Sequence, residues 1–219
     1  MSPRVALAIL CLAAVPAAAE VGSPASLPIL RLVWVDPADA AVGSELAARA
    51  EADALLSRMG VTVSWRRGTA GEQMQRGEIW VILVGESADS RSDSIVLGAT
   101  KRGAVCPTIW VRVPNVRRAL GVPRGPALFG LAGFERHLVS VAIGRVIAHE
   151  VVHAVAPSVP HGTGLTAANL TRNQLRAPTL GIEAEVALAV QASLRGNPVF
   201  ASPASDVMAA QSEVPDKDR

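Results

Sequence analysis

Residues 138–156 read LVSVAIGRVIAHEVVHAVA, a stretch compatible with helix and apolar on nearly every face. A surface helix turns a polar stripe to water, so a helix without one is expected to lie buried at the centre of the fold. The pattern extends this helix from about Glu135 to Ala156. Pro157 ends it, because proline has no amide hydrogen and its ring disfavours the α conformation in the residue before it. His149, Glu150 and His153 interrupt the apolar run near its end, so groups able to do chemistry stand inside expected core.

Toward the N-terminus, Ile29–Val35 (ILRLVWV) reads as a buried strand closed by Asp36-Pro37. Glu45–Met59 reads as an amphipathic helix, with Leu46, Ala50, Leu55 and Leu56 on its apolar face and Gly60 as its stop. Val61–Trp65 alternates like a strand. Ile79–Val84 is a continuous apolar run suited to a strand covered on both faces. Ser87–Ser94 reads as a polar loop, and Ile95–Ala99 and Thr108–Val113 as short strands with an exposed Lys101-Arg102-Gly103 connection between them. Asn115–Gly130, rich in Pro and Gly, reads as loop with one short helical turn. Beyond Pro157 a second helix spans Ile182–Leu194. This order predicts an α+β fold: a mixed sheet with a backing helix and a buried helix, then a small C-terminal helical lobe. A cleft between the two parts is the natural place for a site.

The chain has 219 residues, half of them apolar, enough for one domain with a substantial core. Tyr is absent and aromatics make up 3%, so Val, Leu, Ile and Ala must fill that core. The first nineteen residues have the layout of a secretory signal peptide: a basic start (MSPR), an apolar run Val5–Val15, and Ala17-Ala18-Ala19 before Glu20. The run falls short of the roughly 20 residues that span a bilayer. Leu10 before Cys11 argues against lipidation there. Cleavage after Ala19 removes Arg4 and leaves 20 basic against 19 acidic residues, a balance that suggests neither nucleic acid nor an anionic membrane as partner. Cys106 is then the lone thiol, expected as a small buried hydrophobe beside Ile109-Trp110-Val111.

Three of the four histidines fall within residues 149–161, in His149-Glu150-Val151-Val152-His153 and then His161. Positions i and i+4 share a helix face, so the first two imidazoles reach one ion. Glu150 stands where it can take a proton from a water at that ion. Random placement of these residues predicts about 0.004 copies of H-E-x-x-H in a chain of this composition. Pro157 ends the helix, Pro160 stiffens the return, and Gly162 and Gly164 permit a tight backbone. Eight residues, each covering up to ~3.3 Å, bring His161 back easily as third ligand. Three protein ligands with an open position is the catalytic pattern for zinc. Two other readings stay open: core histidines bonded to carbonyls, and Glu183 or Glu185 in place of His161. His137 is expected to cap or pack, and Arg145 to form an ion pair. Asn169-Leu170-Thr171 matches a glycosylation acceptor and is read as chance behind a bacterial-type leader.

The stretch HEVVHAVAPSVPH (149–161) resembles the metal motif of the zincin metallopeptidases, as a metzincin-like variant. It is also similar to exported bacterial proteins that carry H-E-x-x-H-x7-H. The metzincin pattern is H-E-x-x-H-x-x-G-x-x-H followed by a Met-containing turn. Here the spacer is two residues longer, Ala156-Pro157 replaces the turning Gly, and Thr166 follows Gly164-Leu165 where Met is expected. The resemblance implies Zn²⁺ bound by His149, His153 and His161, with Glu150 as general base for peptide-bond hydrolysis. It also implies a segment around Val96-Leu97-Gly98-Ala99 leading into the substrate-side edge strand. With the leader read as signal peptide 1–19 and the small, polar and charged residues 199–219 as a flexible tail, the resemblance implies a zincin-like catalytic domain at 20–198. The leader implies an exported protein, secreted or periplasmic, with no membrane span, the resemblance implies action on peptides or proteins, and a monomer is expected. No Tyr exists to stabilise an oxyanion. The alternative from another class is an exported protein of the same fold that binds a metal or partner and cleaves nothing. The missing Met and Tyr favour it, and Glu150 opposes it.

Overall fold

The computed structural model describes residues 29–86, 96–102, 106–123, 128, 131–197 and 200. The expected signal peptide, the Ser87–Ser94 loop, Ile95 and, apart from Phe200, the 199–219 tail lie outside the described residues. The elements follow as β1 (Ile29–Val35), α1 (Glu45–Arg58), β2 (Thr62–Arg67), β3 (Glu78–Val84), β4 (Gly98–Lys101) and β5 (Thr108–Arg112). Then come α2 (Val113–Leu120), α3 (Gly133–Val155), α4 (Arg172–Arg176) and α5 (Ala184–Gly196), with a 3-10 turn at Gly164–Thr166. The fold is α+β, as the pattern of elements predicts.

The five strands form one mixed sheet in the order β2-β1-β3-β5-β4. Four run parallel, and β4 at one edge is antiparallel to β5. Strand alternation divides the sheet into two faces. Leu30, Leu32, Ile79, Val81, Leu83, Ile109 and Val111 join the main core with the helices. Val33, Val35, Trp80 and Cys106 form a second buried cluster. β3 is thus covered on both faces, and Cys106 is a buried hydrophobe whose thiol burial pushes its pKa up. Glu78, 3% exposed, is held below the usual carboxylate range chiefly by Arg66, whose guanidinium grips both its oxygens at 2.7 and 2.8 Å.

α3 fills the centre. It is long and apolar enough to cross a membrane, yet 83% of its most apolar window is buried inside the fold. It packs against α1, the sheet, α2 and the C-terminal elements. Gly144 makes the contact with α1 possible: a Cβ there would lie 2.4 Å from the carbonyl oxygen of Ala48.

Several elements differ from expectation. The buried face of α1 is Ala48, Ala52, Leu55 and Leu56, while Leu46 is 85% exposed and Ala50 is exposed too. The small residues face inward because α3 comes so close. The stretch expected as loop holds a two-turn helix, α2, which takes Val113 from the expected fifth strand. Pro114 sits in its first turn, where a missing amide costs nothing, and Gly121 ends it in the left-handed conformation. Both residues punctuate a helix rather than a loop. β4 begins at Gly98 and includes Lys101, so its pairing lies further along the chain than the apolar pattern indicates. α4 is an element that sequence reading missed, although its capping box, Thr171 with Gln174, was legible.

Candidate metal centre

The last two turns of α3 carry His149 and His153 one turn apart on one face. After Ala156 the chain turns back, bringing His161 over them. The ring centroids lie 4.6 Å (149–153), 4.7 Å (153–161) and 5.9 Å (149–161) apart. One potential ligand nitrogen from each ring falls within 4.8 Å of the others, so this group could hold a metal ion. Tetrahedral ligation at about 2.0–2.1 Å sets nitrogens roughly 3.4 Å apart.

Two further observations fit a cation here. Nδ1 of His149 lies 2.6 Å from the carbonyl oxygen of Leu165. A carbonyl can only accept, so Nδ1 carries the proton and the Nε2 lone pair is left for a ligand bond. Nε2 of His153 is buried, with no hydrogen-bond partner among the described residues. Such an orphan costs about 1–3 kcal/mol unless something meets it. Burial, and then the neighbouring His149, His161 and Arg102, lower the His153 pKa to about 4. The imidazole is therefore neutral at neutral pH, as metal ligation requires.

Glu150 is 6% exposed beside this group. The hydroxyl of Thr100, on β4, donates to its Oε2 at 2.6 Å and lies 3.0 Å from its backbone oxygen. β4 can come this near because residue 98 is Gly: a Cβ there would sit 2.8 Å from Oε1 of Glu150 and 2.7 Å from Val146. Beneath the histidines the return is pinned by backbone bonds, Gly162 N to Thr166 O (3.1 Å) and Leu165 N to Gly181 O (2.8 Å). Thr166, at the expected Met position, is 2% exposed, and its hydroxyl donates to Thr163 O at 3.2 Å.

The structure brings His149, His153, His161 and Glu150 together. Glu183 caps α5 and accepts from the Thr163 hydroxyl (2.6 Å) and amide (3.1 Å), bonds that lower its pKa. Glu185 is exposed in the first turn of α5, and neither Glu joins the three imidazoles. Arg145 is structural: it pairs with Glu51 at 2.7 Å and donates to Gln174 O at 2.6 Å. His137, expected to cap or pack, is exposed near the start of α3. Thr171 of the glycosylation-like triplet is the N-cap of α4.

Sequence reasoning missed Thr100 and Arg102. Thr100 is fifty residues from Glu150, and no linear signal joins them. Arg102, read as part of an exposed connection, lines the cleft beside the three histidines. Compared with known proteins, the chain matches no family model and no curated protein.

Proposed function

We propose that this chain is a zinc-dependent peptidase of the zincin kind, exported and acting as a monomer on peptides or proteins outside the cytoplasm. The observation that best supports it is the convergence of three imidazoles around an unpartnered His153 Nε2, with Glu150 alongside and an edge strand at the rim. His149, His153 and His161 would hold the metal, and an all-imidazole set suits zinc. A bound zinc supplies Lewis acidity and lowers the pKa of a coordinated water.

The chain's own groups do the rest. Leu165 O holds the His149 ring in the tautomer that leaves Nε2 free. Glu150 takes the proton of the attacking water and delivers it to the leaving amine. Thr100 holds the Glu150 carboxylate by one oxygen, leaving the other for the proton. β4 ends the sheet, and an extended substrate can add to its unpaired side by backbone hydrogen bonds.

Metal analysis of the dialysed full chain, beside His161→Ala and Glu150→Gln, tests the proposal together with a peptide-library digest. The expected result is about one zinc per wild-type chain, lost or loosened in His161→Ala and retained without cleavage in Glu150→Gln. Zinc absent from the wild type would remove the metalloenzyme reading. Zinc bound by a wild type that cleaves nothing would favour a metal- or partner-binding protein.

A further inference from the structure

Two cavities meet along Glu150. One, about 330 Å³, is walled by β4, the three histidines and Arg102. The other, about 440 Å³, is walled by Leu97, Ala119, Val146 and Leu170, with Arg172 at its edge. Gly98, His149, Glu150 and Ala168 line both, so the two form one trough along β4. Among the described residues, the charged side chains lining it, apart from the histidines, are Glu150, Arg102 and Arg172.

Both arginines are exposed, and neither has an ion-pair or hydrogen-bond partner among the described residues. Arg145 and Arg66, by contrast, are neutralised by Glu51 and Glu78. Arg172 lies across Gly121, where a side chain would come within 2.9 Å of its guanidinium. Arg102 lines the same wall as His149, His153 and His161. A bound divalent cation would add to this positive field, with Glu150 the lone carboxylate among the described residues that line the trough.

Resting on the peptidase reading above, we infer that the substrates are acidic peptides, with a carboxylate on each side of the scissile bond met by Arg102 and Arg172. A strand added to β4 crosses Glu150 with one half toward Arg102 and the other toward Val96 and Arg172, so the two guanidiniums stand at opposite ends. Either end can take a side-chain carboxylate, and a free C-terminus offers the same group. Planar guanidinium matches carboxylate in a two-pronged contact. Exposed contacts of this kind are weak singly and weaken with salt.

The test uses zinc-loaded full chain and alanine-based fluorescent peptides carrying Glu, Gln or Lys on either side of the central bond, with free or amidated C-termini. Binding is read by anisotropy on Glu150→Gln, and cleavage on the wild type. Each Glu is expected to tighten binding about fivefold over Gln at low salt, with the gap closing in molar salt. Arg102→Glu should reverse the preference on one side and Arg172→Glu on the other, with zinc content unchanged. Amidation separates a terminal carboxylate from side-chain recognition. Equal binding of Glu and Lys peptides, or a preference surviving both reversals, overturns the inference. Cleavage without charge preference overturns it while the peptidase reading stands. Arginine-dependent binding without cleavage upholds acidic recognition and sinks the peptidase. Peptides neither bound nor cut defeat both.

Discussion

At the scale of single residues, the site rests on side chains whose states are set by their neighbours. The Thr100 hydroxyl is the clearest case, since it reaches the Glu150 carboxylate at 2.6 Å from another element. Thr100→Val keeps the strand and the shape but removes the donor. If Glu150 is the base, kcat should fall about tenfold with KM and bound zinc little changed, the usual scale for supporting partners of a metal site. A loss of zinc instead would make Thr100 structural. His153 supplies a pH prediction. Its folded pKa, about 4, lies below the ordinary 6.5, so the unfolded chain binds the extra proton between those values. Its contribution to stability is complete above about pH 6.5 and is lost as pH falls toward 4. Denaturant midpoints of metal-free protein should drop across that window, and His153→Gln should flatten the dependence.

At the scale of elements, the α1–α3 contact governs how the histidine-bearing helix is seated. Gly144→Ala would gain roughly 1 kcal/mol of helix propensity. The added methyl would however meet the Ala48 carbonyl oxygen at 2.4 Å, and backbone cannot rotate away as a side chain can. Overpacking, typically about 1–3 kcal/mol, should therefore win. Thermal unfolding should show a melting point several degrees lower. An unchanged or higher midpoint would mean that the two helices slide apart freely. The contact also explains why the buried face of α1 departs from its sequence pattern at Leu46 and Ala50 while keeping Leu55 and Leu56. Its pattern offers Leu46 and Ala50 as plausibly as Ala48 and Ala52, and the proximity of α3, ninety residues later, selects the small pair.

At the scale of the whole molecule, a metal held by the three histidines would couple the site to the fold. The candidate ligands come from α3 and from the loop after it, so an ion bound by both would tie the return segment to the core. Zinc at a hundred times its Kd should stabilise the folded state by about 2.7 kcal/mol. Melting should rise with zinc in the wild type and stay flat in His153→Ala. A zinc-independent melting point in the wild type would count against a preformed site.

Helical geometry is local, so the chain alone determined that His149 and His153 share a face, that Pro157 ends their helix, and that a helix apolar on nearly every face occupies the centre. The same locality made β1, β3 and the α+β class legible from period and composition. What the chain could not determine was which distant surfaces meet. The order of strands, with antiparallel β4 at the edge, depends on crossovers that leave no mark in any single window. From it follow the approach of Gly98 and Thr100 to Glu150, the inward face of α1, and the trough between Arg102 and Arg172. Pairing across tens of residues is decided by total burial and close packing, and those exist only once the tertiary structure has formed.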